Sequence, residues 1–262
     1  MGMDDEQLRA QLTLPRFPRS AAYDPRWLIR NVMGPNPLWL LEELTARMPL
    51  RPGMRVLDLG CGKAVTSIFL AREFGVTVWA ADLWVAPTEN LARIREAGCA
   101  DRVFPLLAEA RELPFAHGYF DAVISIDAYH YFGTDDFYVG YLADFIRPGG
   151  LLGIAVPGLR AEIDRVPEHL RPYWQWEFAS LHSVGWWRRH WELTGKVGVL
   201  DAWEQDDGWR YWRHWCRVCA QAGEDETVRE ASRHEARMLD ADEGRTFTFA
   251  LLVAKKPEVG GT

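Results

Sequence analysis

The sequence predicts an α/β fold built on a doubly wound, mostly parallel sheet. Three observations carry that prediction. From Met54 to Val156 short apolar runs alternate with helix-like segments, the pattern of a parallel sheet covered on both faces. Glycine and proline stand at the changeovers, as at Gly75 and Pro148-Gly149-Gly150. A glycine pair, Gly60 and Gly62, follows the first apolar run and precedes a helix, where a doubly wound sheet binds its ligand.

The elements follow in order. Residues 1–35 are polar and proline-containing, with a short helix around Pro25–Val32. Asn36 reads as a helix N-cap with Pro37 at the first helical position, ahead of the apolar run Leu38 to Leu44; Pro49, Pro52 and Gly53 end that helix. Strands are predicted over Met54–Leu59, Val76–Ala81, Val103–Leu107, Tyr119–Ile126 and Leu151–Val156. Helices are predicted between them over Ala64–Phe74, Pro87–Ala97 and Asp136–Ile146. After Pro157 the rhythm breaks: 158–195 reads as helical or irregular, Val197–Trp203 as a sixth strand and 208–240 as two helices. Thr246–Ala254 is a terminal strand. No internal repeat or low-complexity linker interrupts the chain.

Composition narrows the function classes. The 262 residues are 48% hydrophobic and 26% charged, ordinary for a globular chain with a full core. A net charge of −7 gives no global positive field for a polyanion, so nucleic-acid binding is not expected. Four scattered cysteines, Cys61, Cys99, Cys216 and Cys219, are no disulfide scaffold. The charged, proline-broken N-terminus lacks a signal-peptide core and no apolar run approaches a membrane span. A cytoplasmic, membrane-free protein is the expectation. Tryptophan is in excess: thirteen in all, nine of them between Trp174 and Trp215.

The segment Val56-Leu57-Asp58-Leu59-Gly60-Cys61-Gly62-Lys63-Ala64 carries the chemistry. Two glycines let the backbone pass close to a ligand, and the following helix N-terminus offers N–H groups to a carboxylate or phosphate. The third glycine of a dinucleotide fingerprint would fall on Val65, so that pattern fails. What stands instead is D-x-G-x-G, which resembles motif I of the class I S-adenosylmethionine-dependent methyltransferases. Asp82 follows Gly62 by twenty residues, Glu109-Ala110-Arg111-Glu112-Leu113-Pro114-Phe115 is similar to the family's D-A-x-x-L-P-F segment, Phe120-Asp121-Ala122-Val123 to its F-D-x-V strand, and Arg147-Pro148-Gly149-Gly150 to its R-P-G-G turn. The five motifs keep the family's order over roughly residues 54–156. The likeness is to small-molecule enzymes of the ubiquinone and menaquinone biosynthesis type.

The resemblance implies a Rossmann-like class I methyltransferase fold, with a seven-stranded, mostly parallel sheet whose last strand, Thr246–Ala254, is antiparallel, with helical lid insertions and with S-adenosyl-L-methionine as cofactor. It implies cofactor contacts from Asp58, Gly60, Gly62, Asp82, Leu83, Glu109, Ala110 and Asp127. Asp82 would accept from the ribose hydroxyls, Glu109 would receive the adenine amine, and Asp127 would lie near the methionine moiety. Two positions depart from the family pattern: Ala64 stands for the third glycine of motif I, and Glu109 for the more usual aspartate. A single domain over 1–262 is expected, with a cap (1–35), a cofactor-binding core (36–157), a Trp-rich lid (158–196) and the last strands (197–262) carrying a helical insertion at 205–243.

Methyl transfer from a sulfonium is an in-line displacement of an activated group, so alignment and water exclusion are most of the work. A base is required only where the acceptor must lose a proton. His130, in Asp127-Ala128-Tyr129-His130-Tyr131-Phe132, is the candidate base because it follows the fourth strand's carboxyl end. Tyr129, Tyr131 and Tyr23 are further pocket candidates. The N/D-P-P-Y/F segment of amino-methylating nucleic-acid enzymes is absent at Asp127–His130, which with the acidic balance points to a small acceptor; one or two of the nine clustered tryptophans lining the pocket would favour an aromatic, apolar or cationic one. A cyclase-like use of the fold and a protein methyltransferase are the alternatives. His214, Cys216 and Cys219 sit at a spacing that, with Trp212, describes a core-facing helix stripe, so no metal is expected.

Overall fold

The structure, a computed structural model, describes residues 3–258. Fourteen of the sixteen α-helices and strands it describes lie close to where the sequence puts them, and the helix over Val184–Thr194 falls in the stretch read as helical or irregular. The addition is α1 (Asp5–Leu12), which the polarity of the N-terminal segment concealed. Its start carries a capping box: the Asp4 carboxylate accepts the Gln7 N–H while the Gln7 side chain accepts the Asp4 N–H. α2 (Pro25–Arg30) and α3 (Pro37–Thr45) follow, each with proline in its first turn behind an Asx cap, Asp24 and Asn36.

The α/β core runs β1 (Arg55–Leu59), α4 (Val65–Phe74), β2 (Thr77–Asp82), α5 (Pro87–Glu96), β3 (Val103–Leu107), β4 (Phe120–Ile126), α6 (Tyr138–Phe145) and β5 (Ile146–Leu159). After it come α7 (Val184–Thr194), β6 (Gly198–Glu204), α8 (Gly208–Ala222), α9 (Glu226–Asp242) and β7 (Phe247–Lys255). The seven strands form one sheet in the order β3-β2-β1-β4-β5-β7-β6, and β7 runs antiparallel to both its neighbours. β5 is longer than its apolar run Leu151–Val156 because β7 pairs with it as far as Leu159, and Ile146 joins Phe120 before a register shift.

Alternation along the strands divides the core in two. Val56 and Val78 face a layer holding Leu41, Ile68 and Phe69; Leu57 and Val123 face another holding Leu142, Leu252, Trp187 and Trp191. The latter pair decides what α7 is. Trp187 and Trp191 are fully buried, and the helix packs on β6 and β7, covering the sheet face. The expectation that 158–196 forms a lid over the strand ends is therefore corrected for α7. Trp212 and Trp215 on α8 are likewise core residues, against Phe249 and Trp39.

The strand order reverses between β1 and β4: β1 leads to β2 on one side, and β4 leads to β5 on the other. A crevice opens at the carboxyl ends of such a pair.

Candidate active site

A cavity of about 300 Å³ occupies that crevice. Gly60 and Gly62 follow β1, Asp82 ends β2, Ala108 to Arg111 follow β3, and Asp127 and Ala128 follow β4; all line it. Both glycines adopt positive φ, 75° and 52°, and a Cβ on Gly60 would overlap that of Ala128. The loop therefore approaches the β4 turn as closely as only glycine permits. Ala64 also adopts positive φ, 59°, and precedes α4 without any side-chain cap. The first N–H groups of α4, at Val65 and Thr66 on the cavity wall, are thus open to an anionic group.

Asp58 is fully buried and does not line the cavity. Its Oδ2 accepts the hydroxyls of Thr66, at 2.6 Å, and Ser67, at 2.5 Å, while Oδ1 has no partner. Burial pushes its pKa up to about 6, against those two hydrogen bonds. It reaches the cavity only through Thr66. Asp82 does line it, and its carboxylate is already engaged: Oδ1 accepts the N–H of Trp84 and Val85, at 2.8 and 2.9 Å, and Oδ2 that of Gly62, at 2.8 Å. Asn90 locks the same loop by donating to Gly62 O at 2.8 Å. Leu83, half-exposed, and Ala110 line the wall beside it, and Glu109 pairs with Arg111.

The turn after β4 behaves differently. Asp127 lines the cavity with φ of 55°, and neither of its carboxylate oxygens has a hydrogen-bond partner among the described residues. Burial and then the nearby charge of Glu235 raise its pKa well above the carboxylate range. His130 is 4% exposed, does not line the cavity, and keeps a buried Nδ1 without a partner. Burial lowers its pKa to about 4, so the imidazole is neutral at neutral pH. Tyr129 is sealed beneath Trp187 and Trp191, and Tyr23 packs on Phe69; neither reaches the cavity, whereas Tyr131 does.

Several lining residues escaped the sequence reading. Asn31, Met33, Gly34, Pro35 and Pro37 form a strip across the cavity, and Trp84 stands at its mouth, 71% exposed. The strip is fastened at three points. Lys63 Nζ donates to Arg30 O, Trp215 Nε1 donates to Gly34 O, and Met33 Sδ lies against Gly62. Of the nine tryptophans from Trp174 to Trp215 none lines the cavity. Asx–Pro caps at Asp24 and Asn36 mark the helices on either side of the strip, but no local signal says what it covers. The H-x-C-x-x-C stripe is in the core: Cys216 and Cys219 are buried, Cys216 Sγ lies 3.3 Å from Glu235 Oε2, and His214 faces Gln11 O.

Comparison with known proteins agrees with this geometry. A family model described as a methyltransferase domain matches residues 56–150. The chain is 35% identical over 128 residues to methyltransferase GfsG of Streptomyces halstedii, covering 48% of this chain and 46% of that protein. It is 31% identical over 199 residues to the uncharacterized protein Mb1440c of Mycobacterium bovis, covering 74% and 69%. The chain spans about half the length of curated relatives such as GfsG. A solved methyltransferase from Geobacter sulfurreducens superposes with a TM-score of 0.64 at 20% identity, over 94% of this chain and 99% of that one, which is a likeness of fold. The motifs of residues 54–156, the strand order and these matches coincide, and the chain belongs to the class I S-adenosylmethionine-dependent methyltransferase family.

Proposed function

We propose that the protein transfers a methyl group from S-adenosyl-L-methionine to a small-molecule acceptor. The observation that carries this reading is the single cavity wall on which an uncapped helix N-terminus, a strand-end acid and the Glu109–Ala110 segment follow one another. That succession fits a ligand with a carboxylate at one end, a ribose in the middle and an adenine at the other. The open amides of Val65 and Thr66 would take the carboxylate. Asp82, held by three backbone N–H groups, keeps one lone pair, on Oδ2, for a ribose hydroxyl. Glu109 and Ala110 would meet the adenine edge, with Leu83 against its ring. Asp58 would act from behind, fixing Thr66 and the start of α4.

When bound, the cofactor supplies a methyl group already activated on sulfur. The chain's own residues then have to place an acceptor in line with it and keep water out. The cavity volume suits a small molecule, and the strip of residues 31–37 excludes bulk water from one side. No helix among the described residues is long and apolar enough to cross a membrane.

The test is thermal denaturation with S-adenosylhomocysteine and S-adenosylmethionine. A ligand at a hundred times its Kd stabilises by about 2.7 kcal/mol, a shift of several degrees. Absence of a shift with both would remove the cofactor assignment. Mass-spectrometric detection of a product fourteen mass units heavier, formed from a pooled metabolite extract, tests transfer itself.

A further inference from the structure

Resting on that reading, we propose that the acceptor is cationic and carries, apart from the atom that takes the methyl group, an ammonium charge held by Asp127 between the strip of residues 31–37 and the aromatic rings of Trp84 and Tyr131. Four observations lead there. Asp127 lines the cavity and its carboxylate receives no hydrogen bond and no ion pair among the described residues, unlike Asp82 across the same cavity. A carboxylate on a cavity wall with no protein partner is open to a ligand that brings N–H groups or positive charge.

The position is built. A Cβ on Gly34 would overlap Asp127 Oδ2, so the strip carries glycine where the carboxylate needs room. The Gly34 backbone is in turn anchored to Trp215 Nε1 at 2.9 Å. Asp127 itself holds a left-handed backbone, φ 55°, which turns its side chain out of the line of β4.

The surroundings are acidic and aromatic. Glu235 acts on Asp127 from α9, and Asp127, Glu177 and Glu235 together act on the Tyr131 hydroxyl, whose pKa burial pushes up to about 12 with their help. No lysine or arginine pairs with Asp127 or Glu235 among the described residues. Trp84 and Tyr131 meet edge to face at 5.6 Å, half or more exposed at the cavity mouth, and offer π faces to a cation. A cationic acceptor beside a sulfonium cofactor places two positive charges in one cavity, and this group of carboxylates offsets them.

Asp127 is assigned to the acceptor because Gly34 of the strip and Glu235 of α9 act on it. The groups suited to the cofactor lie on the Gly60–Gly62, Asp82 and Glu109 wall.

The experiment titrates the protein, with and without saturating S-adenosylhomocysteine, with choline and with its neutral isostere 3,3-dimethylbutan-1-ol. Choline is expected to bind about tenfold more tightly than the isostere. Asp127→Asn, which tolerates the same left-handed backbone, is expected to remove that preference. Trp84→Leu is expected to reduce it in part. Equal binding of choline and the isostere, or a preference that survives in Asp127→Asn, overturns the proposal. Loss of S-adenosylhomocysteine affinity in Asp127→Asn, with choline adding nothing, assigns the carboxylate to the cofactor and also overturns it. Failure of S-adenosylhomocysteine to bind the unaltered protein sinks the cofactor reading alone, because the choline preference is read in its absence as well.

Discussion

Asp82 and Asp127 stand at the carboxyl ends of two strands and line one cavity, yet they are opposites. Asp82 accepts three backbone N–H groups, and the loop it holds is braced again by Asn90. Asp127, partly exposed to the cavity, accepts none, and behind it His130 Nδ1 and the Tyr129 hydroxyl are buried without partners. One wall is complete before any ligand arrives. The other keeps its polar groups unpaired. Preorganisation on the first wall lowers the ordering cost of binding a cofactor of fixed chemistry. Unpaired groups on the second are maintained at a cost in stability, which is how a cavity comes to select the ligand that satisfies them.

The sharpest way to break that comparison is to delete each acid. Asp82→Ala strands three amides and is expected to lower stability by about 3–5 kcal/mol and to abolish the S-adenosylhomocysteine shift. Asp127→Ala removes a group with no partner to lose and is expected to leave stability within about 1 kcal/mol of the parent, or to raise it. Urea denaturation of both variants measures the pair. Equal losses would mean that Asp127 has partners after all and that the two walls do not differ.

Acidity separates the same regions with opposite signs. Asp58, beneath the completed wall, has its pKa raised from 3.8 to about 6 by burial, so the folded state binds its proton more tightly than the unfolded state does. Its contribution to stability falls as pH rises from about 4 to about 6, by about 3 kcal/mol. His130 has its pKa lowered from 6.5 to about 4 by burial. The unfolded chain takes up that proton first, so stability falls by about 3 kcal/mol as pH drops from about 6.5 to about 4. The two slopes offset in the parent. Relative to it, His130→Gln is expected to gain stability steadily from pH 7 to pH 4, and Asp58→Asn to lose it. Denaturation curves for either variant that run parallel to the parent's across this window would show that the group titrates as it does in the unfolded chain.

The two walls were also unequally legible. Short-range chemistry marks the first: Gly60 and Gly62 require positive φ, Gly75 ends α4 in the left-handed region, and Asn36 with Pro37 starts α3. Each is a local demand that residue type reveals by itself. The second wall is made by residues far apart in the chain, Gly34 against Asp127 and Trp215 against Gly34, and no spacing rule connects them. The tryptophan excess misleads for a related reason. A large ring is as useful inside a core as over a ligand, and Trp187, Trp191 and Trp215 are inside it. His130 follows β4 as the motif order implies, but whether a side chain after a strand faces the cavity or the core depends on the turn, here a 3₁₀ turn over Tyr129–Tyr131 that buries it.

A smaller test probes the strip. Gly34→Ala introduces a methyl group where Asp127 Oδ2 lies, so either the strip or the carboxylate must move. The expected cost is about 1–3 kcal/mol. Combined with Asp127→Ala, which empties that space, the loss should largely disappear, because the two substitutions act on one contact. A double variant that sums the two single effects would mean that Gly34 is required by something other than the carboxylate.

The smallest expected effect lies on the completed wall, where one residue departs from the family pattern. Ala64 occupies the place of the third glycine of motif I and holds φ at 59° with its methyl group fully buried. A left-handed alanine is strained by roughly 1 kcal/mol relative to glycine, while glycine costs more to order from the unfolded chain. The strain is the larger of the two at this backbone angle, so Ala64→Gly is expected to stabilise by about 0.5 kcal/mol, less the packing its methyl group provides. Thermal denaturation at neutral pH decides the sign. A gain would show that this wall, complete in its hydrogen bonds, still stores backbone strain at the start of α4. A loss would show that the Ala64 methyl group has become part of the core under the loop, and that the chain departs from the family's glycine because that packing outweighs the strain.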